Sequence, residues 1–127
     1  MKYVFKYLNR GTRTYPVVDI TLFGPKNSLT LKALVDSGAS FSVFRPEIAE
    51  YLGIDIEKGE VLYLEGIGGR ILGYMHWARV LVGKKKFTCK IIFSREFTVS
   101  LNIIGRDNFF NYFKITFNEQ KKLLVLE

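Results

Sequence analysis

Residues 33–44 read ALVDSGASFSVF, in which an apolar run leads into one acid and a small-residue turn, and a second apolar run follows. The residues before the acid alternate in the way that predicts a strand with one face in a core: Leu29, Leu31, Ala33 and Val35. This strand ends on the carboxylate of Asp36. A carboxylate at the end of an apolar strand is costly unless it is hydrogen-bonded, paired or functional, so Asp36 is the first candidate for a functional residue.

Asp-Ser-Gly alone is an ordinary turn sequence, so the functional interpretation of this acid depends on two further segments. Near the far end of the chain, residues 101–110 read LNIIGRDNFF, an apolar run that leads into a glycine and charged residues. Between the two, residues 64–73 read LEGIGGRILG, a glycine-rich tip between two strand-like runs. Each segment is short, so the sequence pattern is specific only through the order of the three segments together.

In that order and at those separations, the three segments resemble those of the retropepsin-like aspartic proteases, the single-lobed relatives of pepsin. The resemblance covers roughly Val17 to Asn118, which is most of the chain. It implies a mainly β fold, a single-lobed closed β-barrel with one or two short helices and a glycine-rich flap hairpin. Residues 1–127 would form one domain, and a chain of this length buries a modest core.

The resemblance also implies roles for the residues of the turn. Asp36 would be the catalytic residue. Ser37 would hydrogen-bond across a dimer axis to brace two active-site loops, and Gly38 would place its backbone against the bound peptide. Ala39 and Ser40 would line the adjacent subsites.

The glycine-rich segment resembles the mobile flap that closes over substrate in this family. Its candidate substrate-binding residues are Gly66, Ile67, Gly68 and Gly69, with Ile67 at the apex. Glycines make a hairpin tip pliable, and closure of the tip would limit the access of water. Without the acid motif, a plain hairpin turn would explain this segment equally well. By the same resemblance, residues 103–107 would pack behind the catalytic loop as its support.

Aspartic-protease chemistry needs two carboxylates around one water, and this chain supplies only one in the required setting. Like charges at that distance cannot both ionise easily, so one carboxylate keeps its proton. The ionised carboxylate takes a proton from water while the protonated one hydrogen-bonds the scissile carbonyl. No Ser-Gly or Thr-Gly follows Asp19 or Asp55, and Asp107 belongs to another motif. We therefore expect a homodimer in which Asp36 of each chain meets on the two-fold axis.

The expected substrate is a peptide or protein, held extended between the flap and the active-site floor. Apolar candidate pocket residues favour apolar side chains beside the cleaved bond. Retroviral relatives often carry an acid where this chain has Ser40, which leaves the partner of Arg106 open. Two modes of dimerisation also stay open: interleaved termini, as in retroviral enzymes, and a dimer resembling that of the protease domains of ubiquitin shuttle factors.

Composition limits the location and the partners. No apolar run approaches the ~20 residues of a membrane span, and the N-terminal residues lack a signal-peptide cleavage site, so we expect neither a membrane nor a secreted protein. The single cysteine, Cys89, excludes an internal disulfide and fits a reducing cytoplasm. The net charge of +7 is compatible with nucleic-acid binding, but its densest clusters, residues 84–86 and 121–122, fall in expected hairpin turns. We expect no nucleic-acid partner.

Other chemistries lack the residues that they need. His76 is the only histidine, and we expect a packing or strand-surface role for it. Zinc sites draw on clusters of Cys, His and acids, so no metal or other cofactor is expected. Cys89 falls on the apolar stripe of its strand and is expected to be a structural thiol. The chief alternative to a protease is a retropepsin-like domain that binds peptides or partners without cutting them; a basic all-β nucleic-acid module ranks below both.

Periodicity and turn residues predict the remaining elements. The predicted strands are Tyr3–Leu8, Val17–Phe23, Leu29–Val35, Val61–Leu64, Arg70–Val82, Phe87–Phe93, Val99–Ile104, Lys114–Phe117 and Leu123–Leu126. The two predicted short helices are Arg45–Gly53 and Gly105–Phe113.

Overall fold

The computed structural model describes residues 1–127, which form twelve strands, one α-helix and two 3-10 helices. The strands are β1 (Tyr3–Lys6), β2 (Leu8–Arg10), β3 (Arg13–Tyr15), β4 (Val17–Phe23), β5 (Ser28–Val35), β6 (Val43–Phe44), β7 (Glu60–Gly66), β8 (Gly69–Val82), β9 (Lys85–Phe93), β10 (Asn102–Ile104), β11 (Ile115–Asn118) and β12 (Leu123–Leu126). The helix α1 spans Pro46–Leu52, and the 3-10 helices span Ile56–Lys58 and Phe109–Tyr112. None of these helices is long and apolar enough to cross a membrane.

Six strands close into a barrel, in the order β4-β5-β10-β6-β9-β8. The ring closes where β8 returns to β4, with Leu22 opposite Val80 in antiparallel register. β7 pairs only with β8, so it lies outside the closed ring. The mainly β, closed barrel predicted from the sequence is thus confirmed.

The strands that carry the acid follow the predicted alternation. In β4, Val18, Ile20 and Leu22 are fully buried, whereas Asp19 between them is exposed and forms an ion pair with Lys32 of β5. β5 pairs antiparallel with β4 on one side and parallel with β10 on the other. The end of β5 therefore lies inside the barrel sheet, between the two neighbouring strands β4 and β10.

The helix α1 begins and ends at the residues that favour those positions. Pro46 occupies the first turn, where its missing N–H is not needed, and Glu47 lies near the positive end of the helix dipole. Gly53 ends the helix in a left-handed conformation, with φ of 81°. Ala49 and Leu52 face the barrel and are fully buried.

The two ends of the chain form a separate three-stranded sheet, in the order β1-β12-β11. β1 pairs antiparallel with β12 from Tyr3 opposite Leu126 to Lys6 opposite Leu123. Both pairings of this sheet lie within one chain. The largest fully buried side chains of the common core are Phe44, Phe93 and Phe109.

Three predicted elements differ from the structure. The first predicted strand ends at Lys6, because residues 8–15 turn back on themselves as the hairpin β2–β3. The strand predicted for Val99–Ile104 contains only the three residues of β10. The helix predicted for Gly105–Phe113 is reduced to a four-residue 3-10 helix, because Asn108 adopts a φ of 71° and its side chain accepts the Lys90 N–H.

Candidate active site

Asp36 follows directly on β5, at the end where that strand pairs with β10. Val35 lies opposite Ile104, and the Asp36 N–H donates to the Ile104 carbonyl at 2.9 Å. One residue earlier, the Val35 N–H donates to the Pro16 carbonyl at 2.9 Å. The backbone before and at the acid is therefore fixed by two other segments, and the residue is half-buried.

The Asp36 loop, residues 36–39, turns sharply after the acid. Asp36 Oδ1 accepts a hydrogen bond from the Gly38 N–H at 2.9 Å, and the Ala39 N–H donates to the Asp36 carbonyl at 3.2 Å. Aspartates commonly form such turns by bonding to the backbone two residues on. One carboxylate oxygen is held by the loop, and the other has no hydrogen-bond partner within the chain.

The segment after β10 holds the loop from behind. The Arg106 N–H donates to the Ala39 carbonyl at 2.9 Å, and the Asp107 N–H donates to the Ser40 carbonyl at 2.8 Å. Side-chain conformations play no part in these two bonds, since both join backbone atoms. The predicted support segment therefore lies where the sequence analysis expected it.

Gly105 makes the closest contact between the support segment and the loop. A β-carbon at this position would overlap the backbone of Phe41. The Gly105 N–H donates to Ser42 Oγ at 3.1 Å, and both residues are buried. Glycine is required here for close approach of two backbones, and the buried serine satisfies its N–H.

The flap, the hairpin end formed by residues 62–73 of β7 and β8, contrasts with this packing. Its last pair is Gly66 with Gly69, which leaves Ile67 and Gly68 as a two-residue turn. Ile67 is fully exposed, and a β-carbon at Gly66, Gly68 or Gly69 would meet nothing within 4 Å. Gly69 has a φ of 112°, which favours glycine at that position.

A cleft of about 790 Å³ lies between the Asp36 loop and the flap. This volume is in the range of ligand-binding sites. Six residues predicted from the sequence as site residues line it: Gly38, Ala39, Ser40, Gly66, Gly68 and Gly69. Apolar side chains form much of the remaining surface, among them Val43, Ile71 and Ile103.

A family model described as aspartyl protease matches residues 18–104. The match takes in the Asp36 loop, the flap and β10, and it covers more than half of the chain. The chain belongs to the aspartyl protease family. The family resemblance expected from the sequence is thereby confirmed.

Solved structures resemble this chain along most of its length. A retropepsin-like aspartic protease from Rickettsia conorii superposes with a TM-score of 0.72 at 19% sequence identity, and the match covers 99% of this chain and 98% of that one. EIAV protease complexed with the inhibitor HBY-793 gives a TM-score of 0.58 at 17% identity, over 78% of this chain and 88% of that one. At such identities the likeness shows the fold alone. A search of curated protein sequences finds no match.

Three of the predicted site residues do not line the cleft: Asp36, Ser37 and Ile67. Asp36 is connected to the cleft through Gly38, because its carboxylate accepts a hydrogen bond from the Gly38 N–H. Ser37 is exposed, and its hydroxyl has no hydrogen-bond partner within the chain. Ile67 projects from the tip of the flap into solvent.

One surface of the cleft was missed by the sequence analysis. The wall loop, residues 96–99, contributes Glu96, Phe97, Thr98 and Val99 to the lining. The sequence analysis predicted Val99 as the start of a strand and gave residues 96–98 no role in the site. An available signal was the pair of apolar residues Phe97 and Val99 in a segment that leads into the strand beside Asp36; Val99 remains 47% exposed.

The ion pairs around the support segment concern the partner of Arg106, which the sequence left open. Arg106 forms no ion pair within the chain. Its neighbour Asp107 is paired instead, with Lys90 Nζ 2.9 Å from Asp107 Oδ2. The absence of an acid at Ser40 is therefore accompanied by an exposed, unpaired Arg106.

The residues considered for other chemistries have packing roles. His76 Nε2 lies 2.9 Å from the Ile56 carbonyl oxygen, and its ring meets Phe93 edge-on at 5.8 Å. Burial raises the pKa of the Cys89 thiol to about 12, which keeps this side chain protonated. No three His, Cys, Asp or Glu side chains are grouped so that they could hold a metal ion.

Proposed function

We propose that the protein is an aspartic endopeptidase that acts as a homodimer, with Asp36 of each chain forming the catalytic dyad. The observation that carries the proposal is the placement of Asp36. A single carboxylate follows β5, its backbone is bonded to β10, and one of its oxygens is held by Gly38 beside a cleft under a flap. Membership of the aspartyl protease family supports the same conclusion.

The proposed reaction is general acid–base hydrolysis of a peptide bond. The ionised Asp36 takes a proton from the water between the two carboxylates, and the water oxygen bonds to the scissile carbonyl carbon. The protonated Asp36 of the other chain donates to the carbonyl oxygen, which gives a tetrahedral diol. The diol collapses when the leaving nitrogen receives a proton and the C–N bond breaks. The Gly38 N–H contributes by fixing the orientation of each carboxylate.

The cleft suits an extended peptide with apolar side chains beside the cleaved bond. Its floor and sides present apolar groups: Phe41, Val43, Ile71, Phe97, Val99 and Ile103. An extended peptide that lies between the Asp36 loop and the flap can add main-chain hydrogen bonds to affinity while pockets select its side chains. Ala39, Ser40 and the flap glycines are the proposed contacts to that peptide.

Dimerisation is a condition of activity in this proposal, because one chain supplies half of the dyad. Ser37 is the residue proposed to brace the two loops, since its hydroxyl is exposed and free to bond across the axis. The two carboxylates supply both the acid and the base, so the reaction requires no cofactor. We place the enzyme in the cytoplasm, because its only thiol, Cys89, is free and the fold uses no disulfide.

Cleavage of a mixed peptide library tests the proposal, from acidic to neutral pH, with wild type, Asp36→Asn and Asp55→Asn. Asp55 is an exposed acid far along the chain from the loop and serves as the matched control. We expect wild type and Asp55→Asn to cut at apolar junctions and to be blocked by a statine-type inhibitor. Asp36→Asn should retain less than about one-thousandth of that activity, since it removes the general acid–base group.

Mixing experiments test the shared dyad separately. Excess Asp36→Asn protein added to wild type should reduce activity in proportion to the heterodimer formed, because each heterodimer has only one ionisable carboxylate at its centre. Cleavage that persists unchanged in Asp36→Asn would contradict the proposed role of this residue. If the dimeric wild-type protein cuts no peptide at any pH, the function is instead that of a non-catalytic peptide-binding or partner-binding domain.

A further inference from the structure

The base of the flap lies where one strand of the barrel ends. β9 accompanies β8 only as far as Phe93, which lies opposite Tyr74. The chain then turns away at Ser94 and enters the wall loop. Leu72, two residues nearer the flap tip than Tyr74, therefore lies beyond the last backbone pair with β9.

Side chains take the place of the missing strand at Leu72. Ser94 Oγ donates to the Leu72 carbonyl at 2.5 Å, and the Leu72 N–H donates to Glu96 Oε1 at 3.3 Å. The Glu96 N–H in turn donates to Ser94 Oγ at 3.2 Å. The two bonds at Leu72 extend the β8–β9 ladder by one hydrogen-bonded position, with a hydroxyl and a carboxylate in the roles of a backbone N–H and C=O.

The two bonds at Leu72 differ in strength and exposure. Ser94 is fully buried, and its bond is short. Glu96 is exposed, and its bond is long. A long hydrogen bond with access to water breaks readily, because water replaces the partner at little cost. The Glu96 bond is thus the weaker of the two attachments.

Leu72 also marks the boundary between packed and free parts of the hairpin. The next residue, Gly73, is buried, and a β-carbon there would come within 2.6 Å of Ile92 Cγ2. Toward the tip, Gly66, Gly68 and Gly69 have no neighbours at that position. Close packing of the hairpin against the barrel is thus found next to Leu72, at Gly73, and is absent at the glycines of the tip.

Glu96 contacts both sides of this boundary. It lines the main cleft as the first residue of the wall loop. It also lines a second cavity of about 380 Å³ together with Tyr63, Arg70 and Leu72 of the flap. Glu96 thus lines both cavities, as does Tyr63 of the flap, and through its bond to Leu72 it connects the flap to the wall loop that carries Phe97 and Val99.

We propose that Glu96 is a positioning residue whose carboxylate couples the flap to the wall loop. When the Leu72 N–H is bonded to Glu96, the flap base is held against the wall; when the bond breaks, the flap opens about Leu72 while the Ser94 bond keeps β8 in place. A peptide that orders the wall loop thereby favours the closed flap. The effect of flap closure on peptide cleavage rests on the proposed function, whereas the attachment of Leu72 to Glu96 does not.

Amide hydrogen exchange of Glu96→Ala tests the attachment. We expect the Leu72 amide to exchange about tenfold faster than in wild type, since it loses its only acceptor on that side, while the amides of the barrel strands β4 and β5 are unchanged. Glu96→Gln keeps an acceptor oxygen and should stay close to wild type. Glu60→Ala is the matched control, because Glu60 is an exposed glutamate of β7 whose side chain makes no hydrogen bond or ion pair in the chain.

Steady-state kinetics of the same variants test the coupling. Glu96→Ala should raise KM for a cleaved peptide about threefold or more and change kcat less than twofold, because the variant weakens flap closure over the bound peptide. If no peptide is cut by wild type, the proposed function fails, and the Kd of a bound peptide replaces KM. Unchanged exchange at Leu72 in Glu96→Ala overturns the attachment. Faster exchange with unchanged KM or Kd overturns the coupling.

Discussion

Glycine serves opposite purposes in the support segment behind the Asp36 loop and in the flap. At Gly105, behind the loop, a β-carbon would overlap the Phe41 backbone, and the N–H is bonded to buried Ser42. At Gly66 and Gly68, in the flap, a β-carbon would meet nothing within 4 Å. The first use of glycine permits contact, and the second permits motion.

This difference matches what the proposed function requires of each region. A reacting carboxylate must be held within a fraction of an ångström, and the backbone around Asp36 is fixed by hydrogen bonds from Pro16 and from residues 104–107. A flap must open and close, so its tip is left without packing partners. The same substitution, glycine to alanine, should therefore have very different effects in the two regions.

The largest effect is expected for Gly105→Ala. The added methyl group collides with the Phe41 backbone, which cannot move aside as a flexible side chain could. We expect the free energy of unfolding to fall by about 3 kcal/mol, measured by urea denaturation, together with loss of activity. A loss below about 0.5 kcal/mol would show that the support segment is not closely packed against the loop.

Ser42→Ala should have the next largest effect. It leaves the buried Gly105 N–H without its acceptor, which is expected to cost about 2 kcal/mol in the same denaturation experiment. Ser40→Ala is the control for stability, since Ser40 is exposed and its side chain makes no hydrogen bond. Equal stability of the two variants would contradict the role given to Ser42.

Cys89 reports on the rigid barrel that carries the Asp36 loop. Burial raises the pKa of its thiol from 9.0 to about 12, so the native state keeps the proton at a pH where the unfolded chain loses it. The resulting stabilisation is fully present below pH 9 and declines as the pH rises toward 12. Raising the pH from 8 to 10 should therefore remove roughly 1 kcal/mol that Cys89→Ala does not lose. An identical pH dependence of the two proteins, measured under reducing conditions, would indicate that water reaches this thiol in the native barrel.

The smallest effect is expected in the flap. Gly68→Ala should change the free energy of unfolding by no more than about 0.5 kcal/mol, because its φ lies outside the left-handed region and its surroundings are open. Gly69→Ala, one residue away, should cost about 1 kcal/mol, since its φ of 112° is strained for alanine. Similar losses for both variants would mean that the tip is packed rather than free.

Local patterns in the sequence predicted those elements whose structure is decided locally. Alternation predicted β4 to the residue, and Pro46 and Gly53 predicted the ends of α1. The acid at the end of β5 and the glycine-rich hairpin were predicted from residue types and their order. These features depend on the backbone conformations that their own residues prefer.

The features that were missed depend on residues distant in the chain. The 3-10 helix after Asn108 is short because Asn108 bonds to Lys90 of β9, which no local pattern reveals. The wall loop lines the cleft because the folded barrel places it beside the flap, which its own sequence does not indicate. Glu96 similarly contacts Leu72 only in the folded chain, because the two residues are 24 positions apart and no local pattern links them.

The parallel pairing of β5 with β10 also determines when the site can form during synthesis. Asp36 leaves the ribosome early, but the carbonyl that holds its N–H belongs to Ile104, and the bonds to Ala39 and Ser40 come from residues still later in the chain. Such distant contacts form slowly and only after the intervening chain is available. A nascent chain that stops before β10 therefore contains the acid but lacks the partners that hold the Asp36 loop in place.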